Sequence, residues 1–125
     1  MIGYITLGSN DLNRGAKFYD GLFEEIGIKR LMDTSEFILW GSDLGNPGIS
    51  ITKPFNGEAA TVWNGVMAAI SLETPDQVDA LYAKAIALGA KDEGPAGPAG
   101  PRQDGFYAGY FRDLDGNKLN FFCLT

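Results

Sequence analysis

The stretch RDLDGNKLN, Arg112 to Asn120, sits between two runs that alternate with a period of two, GFYAGYFRD (Gly105–Asp113) and NKLNFFCLT (Asn117–Thr125). A period of two is the mark of half-buried strands, and Asp-x-Asp-Gly-Asn between them is turn chemistry. Together they predict a β-hairpin closing the chain. A calcium loop is the competing reading of Asp113-x-Asp115. Such a loop needs glycine sixth and glutamate twelfth, whereas here glycine comes fourth and Leu124 stands twelfth. The hairpin is the better reading.

Upstream of the hairpin, Val66–Glu73 reads as a strand and Thr74-Pro75-Asp76-Gln77 as a capping box with proline at the first helical position. Val78, Leu81, Tyr82, Ala85 and Leu88 then form a helical face that stops at Gly89. The first half repeats this order. Met1–Gly8 is a strand, and Ser9-Asn10-Asp11 supplies capping residues. Leu12, Ala16, Tyr19, Phe23 and Ile26 follow as an amphipathic helix ending at Gly27. Three short strands are predicted at Ile28–Asp33, Glu36–Trp40 and Gly48–Lys53. Local strings match as well: ITL (Ile5–Leu7) with ISL (Ile70–Leu72), and IGIK (Ile26–Lys29) with LGAK (Leu88–Lys91). Strand, helix and three strands thus recur with a period of about 60 residues. The expectation is one α+β domain over 1–125, with modules at about 1–53 and 66–125 and a connector at 54–65. GPAGPAGPR (Gly94–Arg102) imitates collagen for too few triplets to form a triple helix, and reads as a loop that would flap over a pocket.

Composition narrows the chemistry. Net charge is −6 with no basic cluster, which argues against nucleic acid or an anionic membrane as partner. No apolar run approaches the roughly 20 residues of a spanning helix, and the N-terminus lacks the pattern of a signal peptide. A single cysteine, Cys123, excludes an internal disulfide and reads as a buried packing residue. A cytoplasmic protein is expected. Histidine is absent altogether. That removes the commonest transition-metal ligand, the usual general base, and every Ser/His/Asp or Cys/His arrangement.

MIGYITLGSNDLNRGAKFYDGLF at the start and YFRDLDGNKLNFF at the end resemble the opening and close of the vicinal oxygen chelate superfamily, which includes glyoxalases, bleomycin-resistance proteins and extradiol dioxygenases. The resemblance spans essentially the whole chain. It implies paired βαβββ modules forming a cupped mixed sheet around a pocket, usually in a homodimer. Metal-dependent members hold their ion with His or Glu from four strands, two per module. Carried over, those positions fall on Tyr4, Ser50, Met67 and Asn120. A phenol, a hydroxyl, a thioether and a carboxamide are a poor set for a catalytic divalent ion, so no metal and no cofactor is expected.

Strand parity bears on the same four residues. Ile5 and Leu7, Ile49 and Ile51, Ile70 and Leu72, and Leu119, Phe121 and Cys123 form apolar parities suited to packing under the helices. Tyr4, Ser50, Met67 and Asn120 lie on the opposite parity, where a pocket wall would be. Tyr110 should stand across from Asn120, and Arg112, on the same face as Tyr110, either meets an anionic ligand or pairs with Asp104 or Asp113. Trp40, Phe55, Trp63 and Phe106 either line an aromatic cavity or belong to core and interface. The ligand-binding set expected is therefore Tyr4, Trp40, Ser50, Phe55, Trp63, Met67, Tyr110, Arg112 and Asn120, with no catalytic residue assigned. Two functions follow from the resemblance. One is a metal-free protein that binds and sequesters a small aromatic or amphipathic molecule. The alternative is a glyoxalase- or dioxygenase-like lyase or oxidoreductase with atypical or absent metal ligands.

Overall fold

The structure, a computed structural model, describes residues 1–98 and 105–125. Strand β1 (Tyr4–Gly8), helix α1 (Leu12–Glu24) and strands β2 (Lys29–Asp33), β3 (Phe37–Gly41) and β4 (Gly48–Thr52) form the first module. Strand β5 (Ala68–Ser71), helix α2 (Pro75–Ala87) and strands β6 (Lys91–Pro98), β7 (Phe106–Arg112) and β8 (Lys118–Leu124) form the second. The sheets have the same order, β1-β4-β3-β2 and β5-β8-β7-β6. In each, the first strand runs parallel to the last and the other pairings are antiparallel. This is the expected α+β fold of two βαβββ modules.

Both helices start and stop as the sequence dictates. The Asp11 carboxylate accepts from Arg14 N at 3.0 Å, and Thr74 Oγ1 accepts from Gln77 N at 3.2 Å. The Gln77 side chain returns to Glu73 N at 2.8 Å, so the capping box closes one residue earlier than the usual form. The matched strings IGIK and LGAK turn out to be one helix-stop motif used twice. Ile28 N donates to Phe23 O and Gly27 N to Glu24 O; Ala90 N donates to Ala85 O and Gly89 N to Ile86 O. Gly27 and Gly89 sit at φ 70° and 106°, where a Cβ would be strained.

Helix α1 lies on β2, β3 and β4, and α2 lies on β6, β7 and β8. The helices also touch each other, and Phe18 of α1 packs on Phe111 of β7 with ring centroids 6.5 Å apart. The helix-bearing faces of both sheets therefore share one core, containing Leu7, Ile51, Leu119, Phe121 and Cys123, with Ile5, Ile49, Ile70 and Leu72 packed against it. Close approach of α2 to its sheet depends on Gly109. A Cβ there would stand 2.9 Å from Tyr82 Cδ2 and 3.2 Å from Tyr82 Cβ.

The seam between modules is polar and is built by the Asp-Gly-Asn turn. Asp113 accepts four hydrogen bonds: Asp115 N and Asn117 N at 2.9 Å each, Asn117 Nδ2 at 3.0 Å, and the Tyr19 hydroxyl of α1 at 2.7 Å. Asn117 Nδ2 also donates to Gly8 O at 2.9 Å, and Asn10 N donates to Asp115 at 2.8 Å. Burial raises the Asp113 pKa, against the pull of its hydrogen bonds. Burial first, and then the Asp113 charge, push the Tyr19 hydroxyl well above its ordinary value.

One element corrects the sequence reading. Gly94–Pro98, expected as part of a loop, belongs to β6. Proline is tolerated there because β6 is an edge strand, and the register with β7 shifts on both sides of Gly94. The remainder of that expected loop, 99–102, lies outside the described residues, as does Asp104. No helix among the described residues is long and apolar enough to cross a membrane.

Candidate ligand-binding face

The ladder registers relate the four positions expected from the resemblance, Tyr4, Ser50, Met67 and Asn120, to one another. Thr6 stands opposite Ser50, and Ala69 stands opposite Asn120. Tyr4 precedes Thr6 by two residues, and Met67 precedes Ala69 by two. The pairs Tyr4/Ser50 and Met67/Asn120 thus occupy equivalent places in the two modules, on the sheet faces opposite the helices. Met67 lies just before β5 rather than inside it. Among the described residues, no hydrogen bond joins the two pairs and no strand of one sheet pairs with a strand of the other. Tyr4 is 61% exposed and Met67 39%, whereas Ser50 and Asn120 are each 1% exposed.

Two buried polar side chains on a non-core face need partners. Ser50 Oγ reaches only Ile51 O at 3.5 Å, the outer limit of a hydrogen bond. Asn120 Oδ1 has none; among the described residues it is the one buried side-chain oxygen or nitrogen without a partner. Its surroundings are aromatic. Tyr110 stands directly opposite Asn120 in the β7–β8 ladder, as expected. Phe106 and Phe122 share this parity and stack with centroids 5.3 Å apart and planes 12° apart. Lys118 Nζ lies 5.7 Å from the Tyr110 ring centroid. Phe106, expected either to line a cavity or to belong to core and interface, lies on this face. Phe122 and Lys118 are outside the expected set, although the period-two parity that selects Asn120 and Tyr110 selects them too.

Other expected residues are placed differently. Trp40 takes the core alternative. It is paired with Ile49 on the helix side, packs on Tyr19 and Phe23, and donates to Asp20 at 2.9 Å. Asp20 is held there by Arg30, which also lies over the Trp40 ring. Asp104 lies outside the described residues, and Arg112 does not pair with Asp113. Its Nε donates to Glu93 at 2.8 Å and another guanidinium nitrogen to Gly116 O at 3.0 Å. Asp113 is already saturated, which is why Glu93 on the neighbouring strand takes that role. Phe55 is fully exposed in the connector and borders a cleft of about 390 Å³ with Lys53 and Glu58. Trp63, 76% exposed, and Arg112 border a larger cleft of about 680 Å³ at the module seam.

The residues present do not fit the metal the superfamily's active members use. The four positions offer one carboxamide, one hydroxyl, one thioether and one phenol, none of them an anionic or imidazole donor at neutral pH. Among the described residues, no three His, Cys, Asp or Glu side chains converge elsewhere.

Comparison with known proteins agrees with this architecture. A glyoxalase/bleomycin resistance protein from Albidiferax ferrireducens T118 superposes with a TM-score of 0.89 at 33% identity, covering 100% of this chain and 99% of that one. A glyoxalase-related enzyme from Fulvimarina pelagi gives 0.76 at 25% identity over 98% of this chain and 87% of that one. Lactoylglutathione lyase from Agrobacterium tumefaciens gives 0.69 at 16% identity over 98% and 92%, a likeness of fold alone. No family model matches the chain, and no curated protein matches it. Paired βαβββ modules with this topology define a vicinal oxygen chelate protein. Within that superfamily, the chain belongs to the glyoxalase/bleomycin resistance protein family.

Proposed function

We propose that this protein binds and sequesters a small aromatic or amphipathic molecule without a metal, on the sheet faces carrying Tyr4, Ser50, Met67, Tyr110 and Asn120. The observation that carries the reading is the buried, unpartnered Asn120 Oδ1. Leaving a buried acceptor unsatisfied costs about 1–3 kcal/mol, a cost that a bound donor group would remove. The stacked Phe106 and Phe122 and the Tyr110 ring beside it supply the apolar contact that an aromatic ligand needs. A lyase reading, suggested by the name of one structural neighbour, finds no donor set for a metal here and no histidine base.

A homodimer would complete these faces. The first strand of each sheet, β1 and β5, is an edge, and Ile2, Tyr4, Val66 and Met67 beside them are exposed. Open apolar edges of this kind favour a two-fold partner. The free, buried Cys123 suits a reducing cytoplasm.

Naphthol, neutral and aromatic with one hydroxyl donor, is a suitable probe. It should raise the melting temperature of the wild-type protein and have no effect on Asn120→Leu or Phe122→Ala. Protein from cells supplied with zinc, nickel, iron and manganese should carry well under one ion per chain. About one ion per chain, lost on Asn120→Ala, would refute the metal-free reading. Light scattering at micromolar concentration should give about twice the chain mass of 13.4 kDa. A monomer there would remove any need for a partner's residues.

A further inference from the structure

The cleft that Trp63 and Arg112 border lies past the end of the Tyr110 face, where Lys91 and Arg112 pair in the β6–β7 ladder. It lies at the module seam, about 680 Å³ in volume, between α1, the end of α2, the β7–β8 turn and the connector. That volume is within the usual range for small-molecule pockets. Its wall holds three cations, Arg14, Lys91 and Arg112, against two carboxylates, Glu93 and Asp113. Counting Asp115, 3.7 Å from Arg14, cations and carboxylates balance there three to three, in a chain of net charge −6.

The two carboxylates are already committed. Asp113 accepts four hydrogen bonds, and Glu93 is held by Arg112 at 2.8 Å. Arg14 reaches Leu114 O at 3.3 Å and Asp115 only at 3.7 Å, with its side chain half exposed. Lys91 has no ion-pair partner among the described residues. The connector contributes Trp63, 76% exposed, and Val62 to the same wall, and Leu114 also lines it. An exposed indole and an ammonium without an ion-pair partner, lining one cleft, suit a flat ring carrying a negative group.

We propose that this seam cleft is a second binding site, with neither Asn120 nor Tyr110 in its wall, for a planar aromatic carboxylate. Lys91, with Arg14 behind it, takes the carboxylate, and Trp63 covers the ring. Arg112 positions Glu93 so that it does not compete for Lys91. The site is independent of Asn120 and Tyr110, which lie outside its wall.

Equilibrium dialysis of the full chain with naphthoate, and with uncharged naphthamide as comparison, tests the proposal. Naphthoate should bind saturably and at least about tenfold more tightly than naphthamide, since only the acid meets the cations. Lys91→Gln should weaken naphthoate binding by roughly five- to tenfold, and Trp63→Ala by about tenfold. Both side chains are exposed, so both variants should keep the wild-type melting temperature. Asn120→Leu should leave naphthoate affinity within about twofold, which separates this site from the sheet-face reading. Raising salt from low to about 0.5 M should weaken binding several-fold by screening. Failure of naphthoate to saturate, equal binding of acid and amide, or loss with Asn120→Leu while Lys91→Gln has no effect would each overturn the proposal.

Discussion

Replacing Asn120 by Leu should make the protein more stable and, at the same time, unable to bind its ligand. Both side chains branch at Cγ, so the substitution keeps the shape while exchanging a carboxamide for two methyls. The wild-type residue is 1% exposed, and its Oδ1 has no partner. An unsatisfied buried acceptor costs about 1–3 kcal/mol, whereas a near-isosteric apolar swap with slight overpacking costs under about 1.5 kcal/mol. The expected net is a gain of roughly 1 kcal/mol. For a chain of this length that corresponds to a rise of about 3–5 °C in melting temperature. Urea unfolding followed by circular dichroism measures it directly, with an unchanged m-value as the sign that the native state is unaltered. The same variant should lose naphthol binding. If Asn120→Leu proves less stable than wild type by more than about 1 kcal/mol, the carboxamide serves the fold, and the orphaned oxygen is no sign of a ligand.

Three further outcomes follow from the geometry. Tyr19→Phe removes a hydrogen bond to a buried carboxylate and should cost about 1.5–3 kcal/mol at pH 8 in urea melts. Because the folded pKa of Tyr19 is raised, the stability that its retained proton contributes is fully present below about pH 10 and is lost as pH rises through the folded value. The gap between wild type and variant should therefore narrow in melts at about pH 10.5; a constant gap would count against the Tyr19–Asp113 link. Gly109→Ala should destabilise by about 1–3 kcal/mol, because the new methyl meets the Tyr82 Cβ and ring, and an unchanged melting temperature would mean that α2 can lift away. Finally, Tyr4→His, Ser50→Glu, Met67→His and Asn120→Glu combined should give zinc affinity measurable by calorimetry. A folded quadruple variant with no zinc binding would break the correspondence with the superfamily's ligand positions.

What could be read from the sequence was what local chemistry decides. IGIK and LGAK were visible as a repeat because glycine at a helix stop is a backbone requirement, and the hydrogen bonds show the same six-residue closure in both modules. Tyr110 opposite Asn120 followed from the hairpin turn, since turn length sets register. The misplacements arose where neighbours decide instead. Proline in Gly94–Pro98 looked incompatible with a strand, and only the position of β6 at a sheet edge makes it acceptable. Residue type alone leaves Trp40 open between cavity and core. Its parity with Ile38, opposite Ile51, would have placed it on the helix side. Arg112 and Trp63 were legible as candidates, and Lys91 is the ladder partner of Arg112, but that Arg14 and Trp63 reach that pair depends on docking of the modules.

The repeat also shows how the fold and its chemistry separate in this chain. Tyr4/Ser50 and Met67/Asn120 keep the same register in both sheets, so backbone placement of the four positions does not depend on what their side chains are. Burial of Ser50 and Asn120 persists although neither gains a good hydrogen bond there. A site retained for packing alone would have favoured apolar residues at both places, since each polar group costs stability when left unmatched. Buried polarity at positions without metal donors therefore argues for a pocket that receives a polar ligand.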